Sequence, residues 1–206
     1  MGNYLSSKTG SMNSKSNQKI HNITGIVLAG GKSRRMGKDK AFIELNGKSL
    51  LSLAIDLLTP FCDEIIVSAN SDIHKNSTYR IIKDEIQDLG PIGGIISALK
   101  ESTTELNLVI ATDTPYINKD LLGFLIANSS TEKISAIVQP NFHIEPLCAI
   151  YPTKVSREIE GFIKKGKRKL IDLLIELDYH KVQLSGHESF YNEKVFKNLN
   201  TPEDIS

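Results

Sequence analysis

The stretch Ile23-Thr24-Gly25-Ile26-Val27-Leu28-Ala29 has no charged residue on either of its alternating faces, and it stops at Gly30-Gly31. A strand of this kind must be covered on both sides, which calls for a parallel sheet between two layers of helices. The segment after the glycines is as informative. Lys32, Arg34, Arg35, Lys38 and Lys40 put five basic side chains within nine residues. Glycines let backbone N–H groups come close to a ligand, because no Cβ stands in the way. Adjacent N–H groups in such a turn make a concave nest for anions, and a surround of Lys and Arg suits several negative charges at once. The arrangement points to a polyphosphate site, that of a nucleoside triphosphate. It is neither a Walker loop nor a dinucleotide fingerprint, since Gly30, Gly31 and Gly37 supply neither spacing. The plainer alternative is a glycine turn leading into a solvated basic loop.

Strand-like and helix-like segments alternate along the chain. Apolar spacing and turn residues predict strands over 23–29, 64–68, 79–82 and 106–111, the last apolar enough to be central. They predict helices over 50–58, from Pro91 to about Lys100, and over 119–127. In the second half, strands are expected over 135–138 and 147–151, with a loop over 139–146 between them. Next come helices over 155–164 and 169–177, then short strands over 181–184 and 194–196, and a final turn capped by Thr201 with Pro202 behind it. The fold class is α/β: one domain, a mostly parallel twisted sheet flanked by helices, spanning 23–206. Residues 1–22 are rich in Ser, Asn and Lys with few large aliphatics and read as a disordered extension.

Composition narrows the function. The formal net charge of 206 residues is +1, so no bulk field points to nucleic acid or to an acidic membrane surface. No apolar run approaches the roughly 18 residues of a spanning helix. The two cysteines, Cys62 and Cys148, form no Cys-x-x-Cys pair, which argues against a zinc site and suits a reducing cytoplasm.

Three chemical signals fall at the carboxyl ends of predicted parallel strands, where open α/β sheets bind ligands. One is the glycine loop. The second is Lys83-Asp84, and the third is Asp113 in Ala111-Thr112-Asp113-Thr114-Pro115. A carboxylate at the tip of a central strand, facing a basic loop, supplies what the Mg2+ of a nucleotide needs. Asp113 has an ordinary alternative as the cap of the next helix. Gly90-Pro91-Ile92-Gly93-Gly94 is either a tight turn or a helix N-terminus turned toward a phosphate or a base edge.

These motifs resemble the molybdenum cofactor guanylyltransferases, within the broader nucleotidyltransferases that carry a Leu-Ala-Gly-Gly or Leu-Ala-Ala-Gly loop. The resemblance rests on Leu28 to Gly37 with Asp39-Lys40, then Glu44 to Lys48, Asp84, Gly90 to Gly94, Asp113 to Tyr116 and Asn198 to Asp204. It implies a Rossmann-like nucleotidyltransferase fold. It implies that Leu28, Ala29, Gly30, Gly31 and Lys32 hold the nucleotide with Lys40, Asp84 and Asp113. It further implies that Lys40 and Arg35 act in catalysis and that Asp113 holds Mg2+. One position departs: Ser68 stands where similar proteins carry Asn after the second strand, with Asn70 two residues on.

The implied reaction moves GMP from GTP to the terminal phosphate of molybdenum-molybdopterin and releases pyrophosphate. Implied partners are GTP, the molybdenum-loaded pterin, and proteins that deliver the cofactor or receive it as apo-molybdoenzymes. The alternatives are cytidylyl transfer to molybdopterin, a sugar or alcohol phosphate as acceptor, or a GTP-binding regulator without turnover. Paired glycines in the loop favour GTP within the resemblance.

Overall fold

The computed structural model of the chain describes residues 22–29, 43–69, 79–83, 89–199 and 204. Five helices and nine strands alternate in the described residues. The strands are β1 (Ile23–Leu28), β2 (Glu44–Leu45), β3 (Lys48–Ser49), β4 (Glu64–Ser68), β5 (Arg80–Ile82), β6 (Leu106–Ala111), β7 (Ser135–Val138), β8 (Ile144–Pro152) and β9 (His180–Gln183). The helices are α1 (Leu50–Leu58), α2 (Pro91–Glu101), α3 (Lys119–Ala127), α4 (Ser156–Lys164) and α5 (Leu170–Glu176).

Seven strands form one sheet in the order β5-β4-β1-β6-β8-β7-β9. The pairs β1·β4, β1·β6, β4·β5 and β7·β9 are parallel, and β8 runs against both its neighbours. The strand with no charged face lies inside the sheet, as its composition requires: all six residues of β1 are buried. On one face Ile23 and Val27 pack with Leu51, Ala54 and Leu58 of α1 and Leu121 and Leu125 of α3. On the other, Ile26 and Leu28 pack with Ile92, Ile95 and Leu99 of α2, beside Ile159 and Phe162 of α4 and Leu173 of α5. Both cysteines are buried on the first face.

The expected elements are found with small shifts of boundary, and three differences matter. Residues 194–196, expected as a strand, form a turn. Val195 is fully buried, but its N–H goes to the Asn192 carbonyl (3.0 Å), and the Asn192 side chain takes the Lys194 N–H (2.9 Å). Local Asn bonding of this kind competes with a ladder. The expected loop over 139–146 is shorter, because β8 begins at Ile144. Unanticipated is the hairpin β2–β3, turned by Asn46 and Gly47 at φ +53° and +77°, the conformation a two-residue turn demands. The expected extension over 1–22 lies, apart from Asn22, outside the described residues. So does the expected cap at Thr201.

Candidate functional site

The carboxyl ends of the parallel strands are tied together one residue beyond the ladder. Ala69 N–H donates to the Ile82 carbonyl (3.0 Å), Ala29 N–H to the Ser68 carbonyl (2.9 Å), and Thr112 N–H to the Leu28 carbonyl (3.2 Å). The result is a level edge running β5-β4-β1-β6, from which the three motif-bearing loops all depart. Leu28 and Ala29 are buried in its floor. The N–H of Ala29 is committed to Ser68, so backbone donors to a ligand must come from beyond it. Ser68 itself is buried at the end of β4. Gly30, Gly31, Lys32, Arg35, Lys40, Asn70 and Asp84 lie outside the described residues.

Asp113 stands two residues past β6, half-buried, at the end of this edge nearest β8. It is not the cap of α3. That role belongs to Asn118, whose Oδ1 accepts from the Leu121 N–H (3.0 Å) and whose Nδ2 donates to the Phe190 carbonyl (2.9 Å). The turn around Asp113 is fixed from both sides. Thr114 Oγ1 donates back to the Ala111 carbonyl (3.1 Å), and the Asp113 carbonyl accepts from the Leu199 N–H (2.8 Å). This last bond brings the segment before the C-terminus, with Asn198, up against Asp113. The second glycine-rich motif opens α2 with Gly90 at the N-cap and Pro91 in the first turn, so it is a helix N-terminus as well as a turn.

Beyond β6 the sheet opens. The β6–β8 ladder ends at Ile110 opposite Cys148. On the other edge of β8, Ala136 pairs with Ala149 but the next residue, Ile137, pairs with Glu145, so residues 146–148 are skipped in the pairing with β7 as a bulge. Pro146 has no N–H to give a ladder, and its carbonyl is held by the buried Tyr151 hydroxyl (2.9 Å). The bulge leaves a cavity of about 220 Å3, lined among others by Asp113, His143, Glu145, Leu147, Cys148 and Asn198. A more open hollow of about 680 Å3 lies on the other side of the same turn, against α1, with Leu53, Leu57, Thr112 and Lys119 in its wall.

Glu145 has 16% of its side chain exposed and accepts a hydrogen bond from the Gln139 amide, with His143 Nε2 at 3.7 Å. Burial pushes its carboxyl above the usual carboxylate range, against the smaller opposing pull of Gln139 and His143. Burial pushes the thiol of Cys148 up strongly, and the nearby Glu145 adds to this. Neither His143 nor Glu145 stood out in the sequence, because both fell in an expected loop. The available signal was Glu145-Pro146 directly before an apolar run, since a residue preceding proline is held extended.

Residues 25–182 match the family model described as the MobA-like NTP transferase domain. The chain belongs to this family. A relative from Peptoclostridium acidaminophilum, named probable molybdenum cofactor guanylyltransferase, is 35% identical over 190 residues, covering 88% of this chain and 86% of its own. Among solved structures, molybdopterin-guanine dinucleotide biosynthesis protein A from Archaeoglobus fulgidus superposes with a TM-score of 0.73 at 26% identity, over 88% of this chain and 94% of its own. The 2-C-methyl-D-erythritol 4-phosphate cytidylyltransferase of Thermus thermophilus shares the fold, with a TM-score of 0.64 at 13% identity over 87% of this chain and 94% of its own. The fold thus serves more than one nucleotide, and its architecture alone does not select the base.

Proposed function

We propose that the protein transfers GMP from GTP to the terminal phosphate of molybdenum-bound molybdopterin and releases pyrophosphate. The observation that carries this reading is the level strand edge ending at Asp113, in a chain 35% identical to a relative named as a guanylyltransferase. The nucleotide belongs on the β5-β4-β1 side, from which the glycine loop and Asp84 depart. The acceptor belongs on the β8 side, where the sheet opens next to Asp113.

In phosphoryl transfer little covalent work falls to the protein, and positioning with charge stabilisation dominates. An oxygen of the acceptor's terminal phosphate attacks the α-phosphorus of GTP in line. The bond from that phosphorus to the bridging oxygen breaks, and pyrophosphate leaves. The attacking phosphate is already ionised near neutral pH, so no general base is assigned. Lys40, with Arg35 and Lys32, is assigned to the charge that develops on the transferred and leaving phosphates. The Asp113 carboxylate is a hard oxygen donor that α3 does not use as a cap, which fits Mg2+ held by one or two carboxylates with water and substrate phosphates. When bound, such an ion supplies neutralisation of phosphate charge. Leu28 and Ala29 form the floor, and Gly30, Gly31 and Asp84 contact the nucleotide. We place the reaction in the cytoplasm; among the described residues no helix is long and apolar enough to cross a membrane.

The test presents purified protein with GTP, CTP, ATP or UTP and molybdenum-loaded molybdopterin, and measures pyrophosphate. A large preference for GTP is expected. Equal or faster turnover with CTP overturns the guanylyl assignment. Binding of GTP without pyrophosphate from any nucleotide overturns the transferase reading.

A further inference from the structure

The cavity opened by the β8 bulge holds a group that the transfer chemistry does not use. Glu145 is mostly buried, and it faces a neutral amide and a histidine nitrogen at 3.7 Å. A carboxylate so placed loses hydration without gaining a strong counter-ion, a costly state unless a ligand supplies donors. The fold keeps it there by a specific device. Glu145 pairs with Ile137 of β7, immediately beyond the bulge, and Gln139 at the end of β7 turns its amide onto the same carboxylate. β-bulges often re-aim side chains next to active sites.

The position also sorts ligands by their chemistry. Asp113, which ends the strand edge assigned to phosphate transfer, also lines the cavity, as does Asn198. A second carboxylate repels a phosphate, so the part around Glu145 suits the end of the acceptor that carries no phosphate. At about 220 Å3 the space equals about seven waters of bulk volume, enough for one fused bicyclic ring and too little for a nucleotide. The 2-amino-4-oxo ring of a pterin carries adjacent N–H donors at N3 and at the 2-amino group. Two parallel donors meeting one carboxylate make a bidentate, charge-assisted pair.

We propose that Glu145 is the specificity-determining residue for the acceptor, its carboxylate receiving the N3 and 2-amino N–H donors of a 2-amino-4-oxopteridine head. This rests on the transfer reaction proposed for the site. Gln139 acts as a positioning residue that holds the carboxylate toward the cavity.

Pterin and lumazine test this directly, since lumazine carries a carbonyl in place of the 2-amino group. Binding of each is measured by the fluorescence of the ring in wild type, Glu145→Gln and Glu145→Asp, with GTP and Mn2+ affinities measured alongside. Wild type is expected to prefer pterin by about tenfold or more, because a site built for a donor rejects an analogue lacking it. Glu145→Gln, which offers a carbonyl and an amide in place of two equivalent oxygens, is expected to lose or reverse that preference. Its melting temperature and its GTP and Mn2+ affinities should be retained. Glu145→Asp keeps the preference at weaker affinity. A preference for pterin that survives in Glu145→Gln overturns the proposal, as does wild type that binds neither ring. A marked loss of Mn2+ affinity in Glu145→Gln overturns it in favour of a metal ligand. If wild type releases pyrophosphate with GTP and loaded acceptor while any of these holds, only this inference fails. If no nucleotide yields pyrophosphate, the reaction itself is at fault.

Discussion

At the scale of single residues, Gly25 and Asp113 mark the two kinds of constraint on this chain. A Cβ on Gly25 would stand 2.9 Å from Leu58 Cδ1 and 3.1 Å from Cys62 Sγ. The side chains of Leu58 on α1 and of Cys62 just after it therefore fill the space that a Cβ at this position of β1 would take. Gly25→Ala is expected to cost about 1–3 kcal/mol, the range for forcing extra atoms into a packed core, read as a lower urea midpoint. Activity per folded molecule should be kept, because Gly25 lies at the middle of β1, away from the strand ends. Asp113 is the opposite case. Its replacement by Asn is expected to leave the melting temperature close to wild type, since Asn118 carries the cap of α3. The same change should weaken Mn2+ binding and lower the transfer rate by about a hundredfold or more, as loss of a preorganised charge partner does. Unfolding of Asp113→Asn with Mn2+ affinity intact would make Asp113 a structural residue.

At the scale of elements, α3 is the piece that ties the strand edge proposed for phosphate transfer to residues 190–199. Its cap residue bonds both the first turn and the Phe190 carbonyl, and Phe124 packs its ring at 5.5 Å from that of Phe190. Residues 190–199 are strapped down here and at Asp113, which sets Asn198 in the cavity wall. Asn118→Ala removes a cap worth about 1 kcal/mol and a second bond of about the same size. A urea titration should show a loss near that sum. Faster hydrogen exchange over 190–199 than in wild type should accompany it. Ser49→Ala removes the cap of α1, where Ser49 Oγ accepts from the Ser52 N–H (3.1 Å), and should cost only the cap, without change over 190–199.

At the scale of the whole molecule, Glu145 links stability to pH in the direction opposite to most carboxylates. Its folded form holds a proton more tightly than the unfolded chain does, because burial disfavours the charge. Stability therefore falls as pH rises from the ordinary carboxylate range through the higher folded value, and the penalty is complete above it. Glu145→Gln lacks that penalty. Its melting temperature should equal or exceed wild type near neutral pH, and the gap should close as the pH drops below the ordinary carboxylate range. Exposed Glu132 and Glu176, held below that range chiefly by hydrogen bonds from Lys154 and Lys165, pull the other way and are common to both proteins. The difference between variant and wild type isolates Glu145. A gap that widens in acid would contradict its buried setting.

The sequence by itself determined the layered α/β class, the interior place of β1 and β6, and the family, because these rest on local apolar runs and on contiguous motifs. It also placed Asp113 at a strand end, where its neighbours Thr112, Thr114 and Pro115 already force a turn. Asn46-Gly47 carries the signature of a hairpin turn, but the hairpin was not expected, because its two-residue strands are too short for the alternation that marks longer ones. Residues 194–196 misled because one buried valine between polar residues looks the same in a strand and in an Asn-driven turn. Only the tertiary structure decided that β8 runs against its neighbours, since strand direction leaves no mark on local composition. Only it decided that β8 shifts its pairing around Pro146, beside a cavity walled by the turn after β6, by the start of β8 and by Phe196 and Asn198. Glu145 and His143 acquire their place from that shift, far along the chain from the glycine loop and one strand across the sheet from Asp113.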